Sequence, residues 1–299
     1  MSLSGYLDDW RPGTAELTRR VDPWPAAAFA ALIGTPAPPL DPGDPLPPLW
    51  HWFTLLEHPA QRELGPDGHP ADGPFMPPIP GRRRMFAGGR LHLDAPVPVG
   101  AELTSRSSVA TVSVKAGRTG ELAFVTVRHE LSADGRPVGA EEQDIVYRAA
   151  ADTVEPAPPG PPAPAPPAPP TAETAAPPDP AAWQLGLQAD PVLLFRFSAL
   201  TCNAHRIHYD LPFATEVEGH PGLVVHGPLL ALLALELPRL HAPAATVRAF
   251  SYRLLRPAFA PAAIAASGRL DPVPAGRSVS LSAGPAGARP SLTATADLG

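Results

Sequence analysis

Several things the sequence lacks narrow what it can be. It has one cysteine, Cys202, so neither an internal disulfide nor a multi-cysteine zinc site can form. It has one lysine, Lys115, so arginine supplies nearly all the positive charge. There is no basic excess: 23 Lys and Arg against 29 Asp and Glu leave a formal charge of −6, which argues against a nucleic-acid partner. No uninterrupted apolar run is long enough to span a bilayer, and the first ten residues carry acids rather than a basic, apolar leader. These absences set the expectation of a cytoplasmic protein with no membrane and no nucleic-acid partner. Proline, by contrast, is abundant at 45 residues, and 44% of the 299 residues are hydrophobic, enough to build one large core or two of ordinary size.

Residues 1–23 are polar and broken by Pro12 and Pro23, although Leu17 and Val21, four apart, allow a short amphipathic helix. Residues 24–33 predict a helix with Pro25 in its first turn and Gly34 as its stop. The aromatic run 49–56 reads either as a short buried helix or as a lid over a pocket, and 57–81 as a long loop of the kind that is functional or mobile. Period-two alternation then predicts strands at 102–115, 122–131 and 138–147, separated by Gly-rich hairpin signals. Residues 151–182 are a proline-rich linker that cannot pack a core, dividing the chain into domains at 1–150 and 183–299. In the second half, 192–197 reads as a strand and 226–237 as a helix apolar all round and hence buried, ended or kinked by Pro238. Four further strands are predicted at 245–255, 262–270, 277–282 and 291–298. Each half thus reads as a helix followed by antiparallel strands. The fold class is α+β: a double hot-dog, each half an antiparallel sheet wrapped around a central helix.

The chemistry concentrates at 201–210, where Asn203, His205, Arg206, His208, Tyr209 and Asp210 stand between the predicted strand and the helix opening at Gly227-Pro228. Backbone N–H groups at a helix start, Gly227 among them, can stabilise an oxyanion, and a histidine can move a proton. That set suits adding water to, or removing it from, a carbon–carbon double bond of an acyl thioester. Blander readings stand beside it. His208 would serve as a structural turn cap, and His205, His208 and Asp210 have the spacing of a metal set. Cys202 reads as a small buried residue, and Tyr209 and Asp210 as groups that orient the loop. Arginines at 82–84 and at Arg90 are either an anion site for a phosphate or carboxylate, or a solvated turn; Gly88-Gly89 beside them would let a ligand approach the backbone.

The segment 201–210 together with Val225-His226-Gly227-Pro228 resembles the MaoC-like dehydratase family. It is most similar to the double hot-dog branch of 3-methylfumaryl-CoA (mesaconyl-CoA) hydratases and hydroxyacyl-thioester dehydratases. Residues 47–52 and 83–89 resemble that branch too. The resemblance implies a hydro-lyase that reversibly hydrates an enoyl-CoA, with a branched dicarboxylic acyl group preferred. It implies no metal and no cofactor beyond the CoA of the substrate, and a homodimer as the family habit. Carried over residue by residue, it implies that His208 is the acid/base, that Asn203 positions water and that the Gly227 N–H binds the thioester oxygen. His205, His226 and Tyr209 are candidate contacts of the acyl-CoA substrate, His226 reading also as structural support beside the Gly227 backbone, and Arg83, Arg84 and Arg90 are candidates for its CoA phosphates or second carboxylate. The first half is then a non-catalytic hot dog that completes the acyl pocket. Asn203 stands where the wider family has an aspartate, and His205 where it has an asparagine. The alternatives are a hot-dog acyl-CoA thioesterase or a protein that binds acyl thioesters without turning them over.

Overall fold

The computed structural model describes residues 2–117, 120–148, 182–271 and 277–299; the predicted linker lies outside these but for residue 182. The first half runs α1 (Leu3–Leu7), β1 (Thr14–Arg20), α2 (Pro23–Ile33), β2 (Pro45–Leu46), β3 (Arg83–Leu93), β4 (Val97–Pro98), β5 (Glu102–Gly117), β6 (Gly120–Ala133) and β7 (Arg136–Arg148). The second runs β8 (Trp183–Ala189), α3 (Pro191–Leu200), β9 (Leu223–Val224), α4 (Gly227–His241), β10 (Val247–Leu254), β11 (Phe259–Ala260), β12 (Ala262–Leu270), β13 (Arg277–Pro285) and β14 (Leu292–Leu298). Ten strands make one antiparallel sheet in the order β1-β5-β6-β7-β3-β10-β14-β13-β12-β8. The order is a mirror. Edge strand, three-strand meander and central strand recur in each half, and the halves join where β3 pairs with β10, Ser251 opposite Arg90 and Tyr252 opposite Gly89.

The halves fill the inner face of that sheet differently. In the second half α4 packs against β8, β10, β12, β13 and β14. Every residue from Leu229 to Pro238 on it is buried, so its apolar circumference is the core rather than one stripe. Its one buried acid, Glu236, is held by Arg239 and Thr35. Pro238 falls in the last turn and the helix continues through it to His241, so it neither ends nor breaks the helix. In the first half the place of α4 is taken by a 3-10 turn, Trp50–Phe53, and the long loop after it, which holds a second such turn at Gln61–Glu63. Trp50 and Phe53 pack on Phe29 of α2, so the aromatic run is core.

Three local expectations are corrected. Residues 192–197 are helix, not strand: Asp190 caps α3 by accepting the Leu193 N–H at 2.8 Å, and Pro191 opens it. Leu193, Leu194 and Phe197 form its buried face, while Val192 and Phe195 are exposed. Leu17 lies in a strand, β1, and not in a helix with Val21. Gly88 and Gly89 leave no room for a ligand: a Cβ at Gly88 would come within 2.5 Å of the Tyr252 carbonyl oxygen, and one at Gly89 within 2.6 Å of the Tyr252 hydroxyl. They are glycines because β10 and its tyrosine close over them.

Candidate active site

α3 ends at Leu200, where the Thr201 hydroxyl donates to the Phe197 carbonyl at 2.8 Å. Cys202 takes a positive φ of 50° and is exposed, not buried, at this turn. Asn203 then shapes the loop. Its N–H donates to Ser198 O at 2.9 Å, and its Oδ1 accepts the His205 N–H at 3.0 Å, an Asx turn that leaves the side-chain NH2 to donate. Asp210 is occupied by the Arg206 guanidinium (2.9 and 2.7 Å) and by the Phe213 N–H, so it does not converge with His205 and His208 into a coordination set. Tyr209 is exposed and donates its hydroxyl to Ala204 O at 3.0 Å.

His208 is buried, with Nδ1 2.7 Å from Val224 O. A carbonyl only accepts, so Nδ1 carries the proton and Nε2 keeps its lone pair. Its other face stacks on His226, ring centroids 3.6 Å apart and planes 17° apart. Burial pulls the His208 pKa down to about 4, the Val224 bond opposing and the charges of His69 and His220 assisting. Burial also pushes His226 well below the usual histidine range, helped by His208 and His205. Both rings are therefore neutral near pH 7. His226 has no exposed surface and holds Ser198 Oγ with Nε2 at 2.9 Å. It backs His208 and is not among the residues that line the cleft. Ser198 is a supporting residue that sequence reasoning did not single out.

His226 is also the residue before α4. Gly227 is the first helical residue, and its N–H meets no protein acceptor among the described residues. It opens toward the cleft that His208 lines, at the partially positive end of a fifteen-residue helix. A Cβ there would come within 2.5 Å of Leu254 Cδ1, so glycine keeps β10 close to this helix start.

The first half supplies the opposite wall. The loop at 57–81 reaches across to the 201–210 segment: Arg206 donates its N–H to Asp67 O at 2.8 Å and its guanidinium to Pro66 O at 3.0 Å. Gly68 (φ +90°) sits so tightly that a Cβ would come within 1.8 Å of Ala204 O. His69 lies ring to ring with His205 at 4.0 Å, and His205 is edge-on to His208 at 5.5 Å. Asp67 accepts both the N–H (3.1 Å) and the Nδ1 (3.0 Å) of His69. Burial would raise the Asp67 pKa, but the bonds and charge of His69 outweigh it and hold the carboxyl at about 2. Burial drives His205 to about 3, with the charges of His69 and His208 adding to it. The Asp67-Gly68-His69 triplet was missed in the sequence, where its loop stood only as a long one.

Behind this wall the inner face of the first-half sheet is polar. Ser107, His129 and Glu141 stand in register on β5, β6 and β7. Buried Glu141 accepts from His51 (2.7 Å), Trp52 (2.8 Å) and Gln143 (2.7 Å). Burial would raise its pKa, and the His51 bond and charge bring it net down, so it is ionised.

The arginines separate. Alternation along β3 puts Arg84 opposite Tyr147, lining the cleft. Among the described residues it has no carboxylate partner, and its charge is felt at His205. Arg83 pairs with Glu218 at 3.5 Å. Arg90 faces the other side of the sheet, held by Glu142 at 2.9 Å and by both oxygens of Asp144 at 3.0 Å.

A ten-stranded sheet of two mirrored halves, one buried helix and an imidazole cluster at that helix's N-terminus define a double hot-dog protein of the kind that handles acyl thioesters. Comparison with known proteins narrows this. The model for "Hydroxyacyl-thioester dehydratase type 2" matches residues 49–260. The chain is 44% identical over 275 residues to mesaconyl-C(4)-CoA hydratase of Chloroflexus aurantiacus, covering 92% of this chain and 91% of that one. A crystal structure of a MaoC-like dehydratase from Phytophthora capsici superposes with a TM-score of 0.64 at 16% identity, covering 100% of this chain and 98% of that one. A Mycobacterium tuberculosis protein with a double hotdog fold gives 0.55 at 19%, covering 98% of each. At such identities the two structures speak for the fold alone. The chain belongs to the hydroxyacyl-thioester dehydratase type 2 family of MaoC-like double hot-dog proteins, and it is a hydro-lyase of the CoA-thioester hydratase/dehydratase type. No helix among the described residues is long and apolar enough to cross a membrane.

Proposed function

We propose that this enzyme reversibly hydrates an enoyl-CoA bearing a branched dicarboxylic acyl group, 3-methylfumaryl-CoA being the representative substrate. The observation that carries the reading is the His208 tautomer: Nδ1–H tied to Val224 O, Nε2 bare, and the ring beside the start of α4. Water attacks C3 of the double bond while His208 Nε2 takes its proton. The electron pair moves to the thioester oxygen, where the Gly227 N–H and the helix dipole meet it. Asn203, its oxygen engaged by His205, offers its NH2 to the water. Arg84, a cleft cation with no carboxylate partner, reads the second carboxylate of the substrate. The likeness to the Chloroflexus mesaconyl-C(4)-CoA hydratase supports that choice of acyl group.

The first half completes the acyl pocket, and the chemistry needs no metal and no cofactor beyond the CoA of the substrate. Family habit and the single cysteine support a cytoplasmic homodimer. The test mixes the protein with 3-methylfumaryl-CoA and with crotonyl-CoA, following enoyl-thioester absorbance beside a thiol assay. Loss of absorbance without free thiol, faster with 3-methylfumaryl-CoA, is expected. Thiol release would make the protein a thioesterase, and no change with either substrate would overturn the reading in favour of binding alone.

A further inference from the structure

Hydration moves two protons: one leaves the attacking water and one arrives at C2. His208 serves the first. Asn203, in the place of the family aspartate, can neither take nor give a proton in this pH range. The second group therefore has to come from elsewhere in the cleft, and the first half presents one. We propose that His69, held by Asp67 on the loop of the N-terminal half, is the second proton-transfer group of this active site, protonating C2 in hydration and deprotonating it in dehydration. The inference rests on the hydratase reading above.

The geometry is that of a carboxylate–imidazole pair. Asp67 accepts the Nδ1–H of His69 at 3.0 Å, which fixes the tautomer and leaves Nε2 as the working atom. The His69 side chain is only one-fifth exposed, and its ring lies 4.0 Å from that of His205, which stands edge-on to His208 at 5.5 Å. The loop is fastened rather than draped, by the two Arg206 bonds to Asp67 O and Pro66 O and by the close fit of Gly68 on Ala204. These contacts span some 140 residues of sequence and have no evident purpose unless the loop must be placed accurately. The groups facing His69 are Asp67 from its own loop and His205 and His208 from the 201–210 segment, with the Arg84 charge of β3 reaching His205. Of these only Asp67 is anionic. His208 sits in a buried setting with no carboxylate against it, and His69 is held by Asp67. Two imidazoles in such different settings divide the roles of base and acid.

The step balances. The water oxygen bonds to C3, its proton passes to His208 Nε2, and the π pair becomes a thioester enolate. The enolate collapses as C2 takes the proton from His69 Nε2, the thioester carbonyl re-forms, and solvent exchange resets both rings. A divalent cation is the competing occupant, since Asp67, His69 and His205 bring nitrogen and oxygen atoms within 4.8 Å of one another.

His69→Gln and Asp67→Asn, checked for fold by circular dichroism and melting, are assayed against the wild type on whichever of 3-methylfumaryl-CoA and crotonyl-CoA it hydrates faster. The expected result for His69→Gln is a kcat roughly 10²–10³-fold lower, KM little changed, and loss of the alkaline fall in the hydration rate. Asp67→Asn keeps that fall but moves it to lower pH, because the imidazolium has lost its counter-charge. A folded His69→Gln with wild-type kcat and an intact alkaline limb overturns the inference while leaving the hydratase reading standing. So does wild-type activity that is lost to a chelator and restored by zinc. If His69→Gln does not fold, the Asp67→Asn profile decides, and an unmoved limb refutes the dyad. A wild type that hydrates neither substrate sinks both the reading and the inference.

Discussion

The two halves of the sheet have the same strand order, yet one is filled and the other is hollow. The second half closes its inner face with α4, apolar on every side. The first half offers two 3-10 turns, a loop and, between its packed ends, a polar band of Ser107, His129, Glu141 and Gln143. A duplicated hot dog thereby gains a division of labour. On the proposed mechanism one copy supplies the helix whose N-terminus meets the substrate, and the other supplies the space and the far wall. The site is the seam between them, which is why neither half reads as complete on its own.

The largest expected effect tests whether the reaction is driven from the filled half. His208→Gln can keep a bond to Val224 O but has no lone pair to accept a proton at neutral pH, so kcat for hydration should fall roughly 10³-fold with the fold intact. A His208→Gln protein with near wild-type turnover would move the chemistry out of the second half altogether.

How much of this was legible beforehand divides along the same seam. The filled half was readable: a continuous apolar run opening with Gly227-Pro228 is a buried helix in almost any setting, and the residues of 201–210 stand close in sequence. The error there, 192–197 read as strand, arose because Val192, Phe195 and Phe197 have strand-like side chains; the Asp190-Pro191 cap, present in the sequence, was the signal to follow. The hollow half was legible in its strands, whose alternation and glycine turns are local. Its part in the site was not. Asp67 meets Arg206, and His69 meets His205, only through folding of the chain, and no local period encodes such contacts. The arginines show how a single strand decides: simple alternation would put Arg84 and Arg90 on one face, and the bulge in β3 between Phe86 and Gly88 separates them.

The next effect is on stability. His205, His208 and His226 lie at the seam with lowered pKa values, so the unfolded chain binds protons that the native state refuses. For a folded-state pKa below the unfolded one, the stability is present above the unfolded value and lost as pH falls toward the folded one. The window therefore runs from about pH 6.5 down to about 3, and His208 alone should cost roughly 3 kcal/mol between about pH 6.5 and 4. Urea unfolding at stepped pH should show a falling midpoint over that range, and His208→Gln should remove part of the slope. A flat profile from pH 7 to 4 would mean that these rings are hydrated rather than sealed between the halves.

Arg84 and Arg90 sharpen the comparison between the two faces of the hollow half. Arg84→Met should lower kcat/KM for 3-methylfumaryl-CoA roughly 10–100-fold, the worth of a charge-assisted bond, and leave crotonyl-CoA nearly unaffected. Arg90→Met removes an exposed guanidinium already shared between Glu142 and Asp144, and should change neither substrate. Equal losses on both substrates with Arg84→Met would mean that this arginine binds the CoA portion common to them.

The smallest effect concerns the fastening of the halves. Gly68 carries a φ of +90° and lies where a Cβ would strike Ala204 O, so Gly68→Ala must lift the 57–81 loop or push back the 201–210 segment. An exposed loop gives more easily than a segment anchored by Ser198 and Val224, so the loop should move and the global melting temperature should change little. Displacing a wall of the cleft by even a fraction of an ångström degrades the alignment of reacting groups, and about a tenfold loss in kcat/KM is expected with His208 untouched. The comparison breaks if activity survives intact: the hollow half would then be a container only, and the close fit of its loop on Ala204 a matter of packing. It sharpens if the loss falls on kcat alone, because a wall that merely held the acyl chain would show itself in KM.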